Sequence, residues 1–408
     1  MFTVRRVKLF VFIASLIATT LFIGGRAAKP ALANGEAIPE HYIVVLAPNV
    51  NANTAAREMS RAFNARVSHV YEYAINGFAA RIPDARLERL KADPRVLYVE
   101  EDRVFTIQAQ SIPTGILRID GDLSSTISGN GSGSVNVDVA VIDTGIQSNH
   151  PDLNVVGGKN CNTGKSYEDG HGHGTHVAGT IGAKDDNNGV VGVAPGARLW
   201  AVRVLNNQGS GTTSSIICGI NWVTQNAGMI EVANMSLGGS GSDSNCGGSD
   251  TYHNAICASV NAGVTYVVAA GNSAANANNY RPATYNEVIT VSALADFNGE
   301  PGGGAAATCR SDVDDTLADF SNYGSDVDLI APGVCILSTW KGSGYNTISG
   351  TSMASPHVAG AAALYKANNP NATPSQVKSA LQSAGNLNWN NAGDLDGNKE
   401  ILLNVDGF

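Results

Sequence analysis

The chain has 408 residues, a formal net charge of −9 and a low charged fraction of 15%, which leaves room for one large core and a smaller unit. Up to Gln108, fourteen Lys and Arg face ten Asp and Glu; beyond it the balance is twelve against twenty-five. An acidic main part with no basic stripe argues against a nucleic-acid binder and suits solubility or bound cations.

Residues 1–33 read as an export signal. Arg5, Arg6 and Lys8 precede the apolar run Leu9–Gly25, and "ALA" at 31–33 offers a small-residue cut. The run is long enough for an uncleaved anchor, but the polar sequence after it favours cleavage. Secretion is therefore expected, with a mature form that is not membrane-bound. The six cysteines all follow residue 108. In an exported domain they predict up to three disulfides, with Cys246–Cys257, the shortest loop, as the first expected pair.

Residues 34–108 form the next unit. "HYIVVLA" is strand-like, "NTAAREMSRAF" has helical spacing behind the N-cap candidate Asn53, and "VSHVYEYAINGFAARI" holds two strands. "DARLERLKADP" reads as a short helix and "VLYVEEDRVF" as a last strand. The order βαββαβ predicts a ferredoxin-like α+β unit. "IQAQSIPTG" then changes character and reads as an exposed linker.

Residues 109–408 alternate apolar β-type runs with helical ones. Strands are predicted at 135–143, 197–205, 231–237, 263–272 and 287–293, with helices such as "SSIICGINWVTQNA" between them. The pattern predicts an α/β fold with a mostly parallel central sheet flanked by helices.

In such sheets functional groups gather at the carboxyl ends of strands. "VNVDVAVIDTG" ends there in Asp143, and "VVAAGN" ends in Asn272, an amide able to donate to an oxyanion. "DGHGHGTHVAGT" packs His171, His173 and His176 into six positions, with His173 where a helix begins. "SGTSMASPHVAG" sets Ser352 at the head of an apolar helix, where backbone N–H groups and the helix dipole favour negative charge. A serine hydroxyl becomes a good nucleophile only when an imidazole takes its proton, and the imidazole needs a carboxylate to fix its tautomer. Asp143, His173, Ser352 and Asn272 supply those four roles.

"VIDTGI", "HGHGTHVAG" and "GTSMASPHVAG" resemble, in order, the three active-site blocks of the subtilisin-like serine proteases. The resemblance implies a secreted serine endopeptidase with Asp143 orienting, His173 as general base, Ser352 as nucleophile and Asn272 in the oxyanion hole. It also implies that 34–108 is an inhibitory, chaperone-like propeptide that the enzyme removes itself at Gln108–Ala109. Within the histidine cluster, His176 is then a packed structural residue, and His171, without a counterpart, is expected to be exposed.

Gly209, Ser210 and Gly211, and Ser236, Leu237 and Gly238, resemble the family's two substrate-flanking segments, between which a peptide adds as a β-strand. The position that resembles the base of the family's primary specificity pocket falls near Tyr280. The resemblance also implies calcium as cofactor, held as in the family's structural site by Gln110, Asp152, Asp186 and the carbonyls of Lys184, Asn188 and Val190, all hard oxygen donors. Protein substrates and the chain's own propeptide are the expected partners, and the enzyme is expected to be monomeric. Two acidic insertions, 298–316 and 393–400, read as solvated loops before ion sites.

Rival readings fare worse. "GGKNCNTGKS" has one residue too many between its glycines for a phosphate-binding loop, and no GxSxG pentapeptide of an α/β-hydrolase occurs. The remaining alternative is a catalytically silent, peptide-binding homologue, a class that normally lacks a triad residue.

Overall fold

The computed structural model describes residues 37–103, 110–243 and 245–408; the export signal and the Gln108–Ala109 junction lie outside them. The chain divides into two compact units, Met1–Ile107 and Gln108–Phe408. Among the described residues no helix is long and apolar enough to cross a membrane.

In the first unit, β1 (Ala37–Leu46), α1 (Ala52–Phe63), β2 (Arg66–Tyr71), β3 (Gly77–Arg81), α2 (Asp84–Lys91) and β4 (Val96–Arg103) follow the predicted order. The four strands form an antiparallel sheet in the order β2-β3-β1-β4. Its core joins Val44, Leu46 and Phe78 to Ala56 and Met59, one face of α1. The N-cap of α1 is Asn51, which accepts from Thr54 N at 2.9 Å, and not Asn53, which lies inside the helix.

The second unit holds α3 (Thr114–Arg118), β5 (Asp138–Asp143), β6 (Val155–Asn160), α4 (His173–Gly182), β7 (Arg198–Arg203), α5 (Thr213–Gln225), β8 (Val232–Met235) and β9 (Gly239–Ser240). There follow α6 (Thr251–Asn261), β10 (Thr265–Ala269), β11 (Tyr280–Arg281), β12 (Ile289–Ala295), β13 (Thr316–Leu317) and β14 (Leu329–Pro332). The hairpin β15 (Ile336–Trp340)–β16 (Gly344–Ile348), then α7 (Thr351–Asn368) and α8 (Pro374–Ala384), complete it. The main sheet runs β13-β12-β10-β8-β5-β7-β6, with β14 beside β12; only β13 is antiparallel. Strand β6 and the hairpin are elements that the apolar runs did not reveal.

Strand β5 is central, wholly buried and two-faced. Val139 and Val141 join the core under α4 and α7, with Val177, Ile181 and Val358, whereas Ala140 and Ile142 join Ile220, Val223 and Ile256 under α5 and α6. That split is the period-2 alternation of a strand covered on both sides.

The cysteines pair as Cys161–Cys218, Cys246–Cys257 and Cys309–Cys335, the second being the pair expected first. The insertion 298–316 is exposed over residues 300–304 and 306–311, as expected of a solvated loop, but its acids at the far end turn inward. Asp312, Asp314 and Asp315 are buried, and Asp314 accepts from Phe297 N and Ala305 N while Arg118 pairs with Asp315 at 2.7 Å.

Helices α4 and α7 approach closely because α7 offers small residues. A methyl group at Gly360 would lie 2.5 Å from Val193 Cβ and 3.2 Å from Ile181 O. Gly360→Ala gains about 1 kcal/mol of helix propensity but forces an overpacked contact costing about 1–3 kcal/mol. Thermal unfolding should show a net loss of stability, whereas an exposed helical glycine would show a gain.

Candidate active site

Asp143 ends β5 with no exposed surface. Its Oδ1 accepts from Thr144 N at 2.7 Å and from His173 Nδ1 at 2.8 Å. That bond fixes the proton on Nδ1 and leaves His173 Nε2 free to act as a base. Burial lowers the affinity of His173 for a proton. The Asp143 charge and hydrogen bond, with the Asp169 charge behind them, outweigh burial, so the imidazole pKa lies above its ordinary value.

Asp169 went unassigned in the sequence. It is buried and accepts five hydrogen bonds: from His171 N, Gly172 N and Thr175 N, and from the hydroxyls of Thr144 and Thr175. The Thr144 hydroxyl in turn accepts from Gly174 N at 2.9 Å. One carboxylate thus ties the end of β5 to the first turn of α4, the two places that carry Asp143 and His173. Its only sequence signal is an Asp heading the "DGHGHGTH" turn.

The other two clustered histidines separate by burial. His176 is fully buried, its Nε2 against the carbonyls of Ile336 at 2.9 Å and Asn346 at 3.1 Å, and burial depresses its pKa to about 3. It is a neutral strut between α4 and the hairpin. His171 is not exposed as expected. It is half-buried, its ring edge-to-face with His173 at 6.2 Å, and it lines the same cleft.

Ser352 occupies the first turn of α7, where backbone N–H groups lack intrahelical acceptors. Its hydroxyl donates to Ser236 O at 3.2 Å. Among the described residues it makes no hydrogen bond to His173, a gap common in free enzymes before substrate aligns the pair. Pro356 has no N–H to give the Ser352 carbonyl; Ser236 Oγ donates there instead, at 2.8 Å. Asn272 Oδ1 accepts from Thr351 N at 2.8 Å and Thr351 Oγ1 at 3.0 Å. The amide is thereby turned so that Nδ2 remains available as a donor.

Gly209, Ser210 and Gly211 line one side, and Ser236, Leu237 and Gly238 the other, of a cleft of about 550 Å³ that reaches His173, with Leu205 and Ile216 in its lining. Beside it a narrower cavity of about 240 Å³ holds Ser352, Asn272 and Tyr280 in its walls. The β9–β11 pairing, Tyr280 opposite Ser240, closes that cavity.

The expected metal ligands also gather. Gln110 Nε2 lies 2.6, 3.3 and 3.1 Å from the carbonyls of Lys184, Asn188 and Val190. Gln110 Oε1 and Asp152 Oδ1 are buried without partners. Asp152, pushed up to about 6 mainly by burial, feels the charge of Asp186, which is exposed and accepts from Asn188 N. Three convergent carbonyls, a carboxylate with one oxygen unpartnered and an amide whose oxygen needs only a flip to join them fit a hard cation.

A hydroxyl in a helix N-terminal turn, an imidazole oriented by a buried carboxylate and an amide donor beside a strand-lined cleft define a serine hydrolase that acts on acyl groups. The subtilase family signature matches residues 134–400, and the peptidase inhibitor I9 signature matches 41–108. The chain is 42% identical over 381 residues to an extracellular serine proteinase of Thermus sp. (strain Rt41A), covering 85% of each. It is 39% identical to subtilisin E of Bacillus subtilis (strain 168), covering 91% of this chain and 92% of that one. A solved cold-adapted subtilisin-like serine proteinase superposes with a TM-score of 0.57 at 37% identity, over 70% of this chain and 97% of the other. The chain belongs to the subtilase family. It is a subtilisin-like serine endopeptidase with an inhibitor-type propeptide.

Asp169→Ala strands three amides and two hydroxyls in a dry site, each a cost of about 1–3 kcal/mol before relaxation. Unfolding and peptide hydrolysis should both suffer, with a loss of at least about 3 kcal/mol and a lower kcat. A variant with wild-type stability would show that water replaces the carboxylate.

Proposed function

We propose that the enzyme hydrolyses peptide bonds in proteins outside the cell through Asp143, His173 and Ser352, with Asn272 and the Ser352 N–H stabilising the oxyanion. The observation that carries this reading is the 2.8 Å bond from His173 Nδ1 to the fully buried Asp143. A substrate strand laid between Gly209–Gly211 and Ser236–Gly238 presents its carbonyl carbon to Ser352 Oγ. His173 Nε2 takes the hydroxyl proton, and the imidazolium so formed is held by Asp143. The leaving amine takes that proton back, and a water molecule repeats the sequence on the acyl-enzyme. Tyr280 helps set the shape of the primary pocket.

The mature chain begins at Ala109 after one cut by the enzyme's own site. Tethering supplies a high effective concentration, so Gln108 is cut despite being an indifferent residue for such a pocket. The propeptide then acts as inhibitor and folding aid, and the mature enzyme is a secreted monomer. Ser352→Ala or His173→Ala should lower kcat by about 10⁶-fold, the loss that removing the serine or the histidine alone causes in subtilisin. Asn272→Ala should cost roughly 10²–10³-fold. In Ser352→Ala the 108–109 bond should stay intact; peptide hydrolysis near the wild-type rate, or efficient cleavage at that bond, overturns the assignment. The acid limb of kcat/KM should fall at a pH above the ordinary histidine value, since His173 must be neutral to act and its pKa is raised.

Calcium is the cation proposed for Gln110, Asp152, Asp186 and the carbonyls of Lys184, Asn188 and Val190. Bound there, it ties the start of the mature chain to the loop after α4 and neutralises buried negative charge. A ligand a thousandfold above its Kd adds about 4 kcal/mol to the native state. EGTA should therefore speed thermal inactivation, and Asp152→Ala should remove most of that sensitivity. Identical inactivation with and without chelator counts against the site.

A further inference from the structure

Between α8 and the chain end, residues 389–400 form a loop pinned at its mouth. Trp389 Nε1 donates to Glu400 O at 2.8 Å, and Asn386 and Leu402 exchange backbone bonds at 3.0 and 2.8 Å. Within it, "DLDGNKE" puts oxygen-bearing side chains on every second residue: Asp394, Asp396, Asn398 and Glu400. Gly397, at φ +73°, makes the turn that brings them round.

The loop is not simply solvated. Glu400 is 8% exposed, and both its carboxylate oxygens are buried without a partner beyond an approach by its own amide. Asp394 Oδ2 is likewise buried and unpartnered. Asp394 and Asp396 lie close enough for their carboxyl groups to hydrogen-bond, and both charges act on Glu400. Burial, with those charges added, pushes the Glu400 carboxyl up to about 7. Among the described residues no Lys, Arg or His forms an ion pair with any of the three. Lys399, the cation nearest in sequence, lies over the Trp389 ring at 5.6 Å. Three like charges, one of them buried, are costly to hold together without a counter-charge.

We propose that Asp394, Asp396 and Glu400 form a second divalent-cation site of calcium type, with Asn398 or loop carbonyls and water completing the shell. Oxygen donors at alternate positions of a glycine-turned loop are the ligand pattern calcium takes in helix–loop–helix proteins. A set without thiolate or imidazole does not suit zinc or copper. A loop whose shell is irregular suits calcium better than magnesium, which demands near-ideal octahedral geometry. The site is separate in sequence and ligands from the one around Gln110 and Asp152, and occupancy would rigidify the end of the chain.

The test uses the full chain carrying Ser352→Ala, so that autolysis does not interfere, and terbium as a calcium probe. Trp389, 4% exposed and bonded to Glu400, is placed to sensitise terbium bound in this loop. Emission excited through tryptophan should appear in the parent, be displaced by calcium and persist in Asp152→Ala. Glu400→Gln and Asp394→Asn should each weaken terbium and calcium binding at least about tenfold through the lost ligand charge. Two substitutions guard against one of them failing to fold, and Asp152→Ala separates this site from the other. Stability supplies a sign at alkaline pH, above the raised Glu400 value: without calcium, Glu400→Gln removes a buried unpaired charge and should raise Tm, whereas in calcium it should lower it. Terbium and calcium affinities unchanged from the parent in both variants, or a higher Tm for Glu400→Gln under both conditions, overturns the proposal.

Discussion

A carboxylate with no access to water depends on donors that do not move, and Asp143, with two donors on Oδ1 and none on its buried Oδ2, sets that requirement for the whole site. It sits at the end of a strand covered by helices on both faces, so its charge is little screened and its bond to His173 is strong. The parallel sheet supplies the dry position, and the turn knotted around Asp169 supplies the fixed donors. Helices α4 and α7, packed against each other through small residues on one face of the sheet, carry His173 and Ser352 in their first turns. Catalytic geometry here follows from a packing solution.

The acid excess of residues 109–408, read as favouring solubility or bound cations, is turned inward to a large extent. Asp138, Asp143, Asp152, Asp169, Asp185, Asp312, Asp314 and Asp315 are all buried. Asp185 accepts from Gly129 N and Gly131 N, as Asp314 accepts from its own loop amides. Loops that lack ladder partners need acceptors for their N–H groups, and a short carboxylate supplies two with full charge. Glu400 departs from this pattern because it faces like charges and accepts from no amide but its own.

The three blocks of the candidate site were legible because each is one continuous peptide whose residue types suit a single chemistry. The main strands were legible because burial on both faces writes an apolar run into the sequence. Strand β6, "VVGGKN", carries no such run: Gly157 and Gly158 lie where a Cβ would meet Trp200 and Ala201 of β7. The hairpin β15–β16 is half-exposed and equally quiet. Asp169 and Glu400 were illegible for a different reason. Whether an acid is solvated, amide-bonded or left facing other acids depends on contacts distant in sequence. His171 shows the same limit, since the cleft wall that half-buries it is assembled from segments far along the chain.

The link between Ser236 and Ser352 shows how, under the proposed function, substrate grip and chemistry would be joined. A proline in the second turn of a buried helix leaves the carbonyl four residues back without its usual donor, and that carbonyl belongs to the nucleophile. Ser236 fills the gap with its hydroxyl and receives the Ser352 hydroxyl on its own carbonyl. Two bonds therefore clamp the edge of the substrate cleft to the first turn of α7. In the proposed function, a peptide seated along Ser236–Gly238 would be registered against Ser352 by the same residue that completes the helix. For attack, only the bond from Ser352 Oγ to Ser236 O has to break, and the bond from Ser236 Oγ to Ser352 O can stay. The clamp would thus release the hydroxyl while leaving the Ser352 backbone, the proposed oxyanion donor, in place.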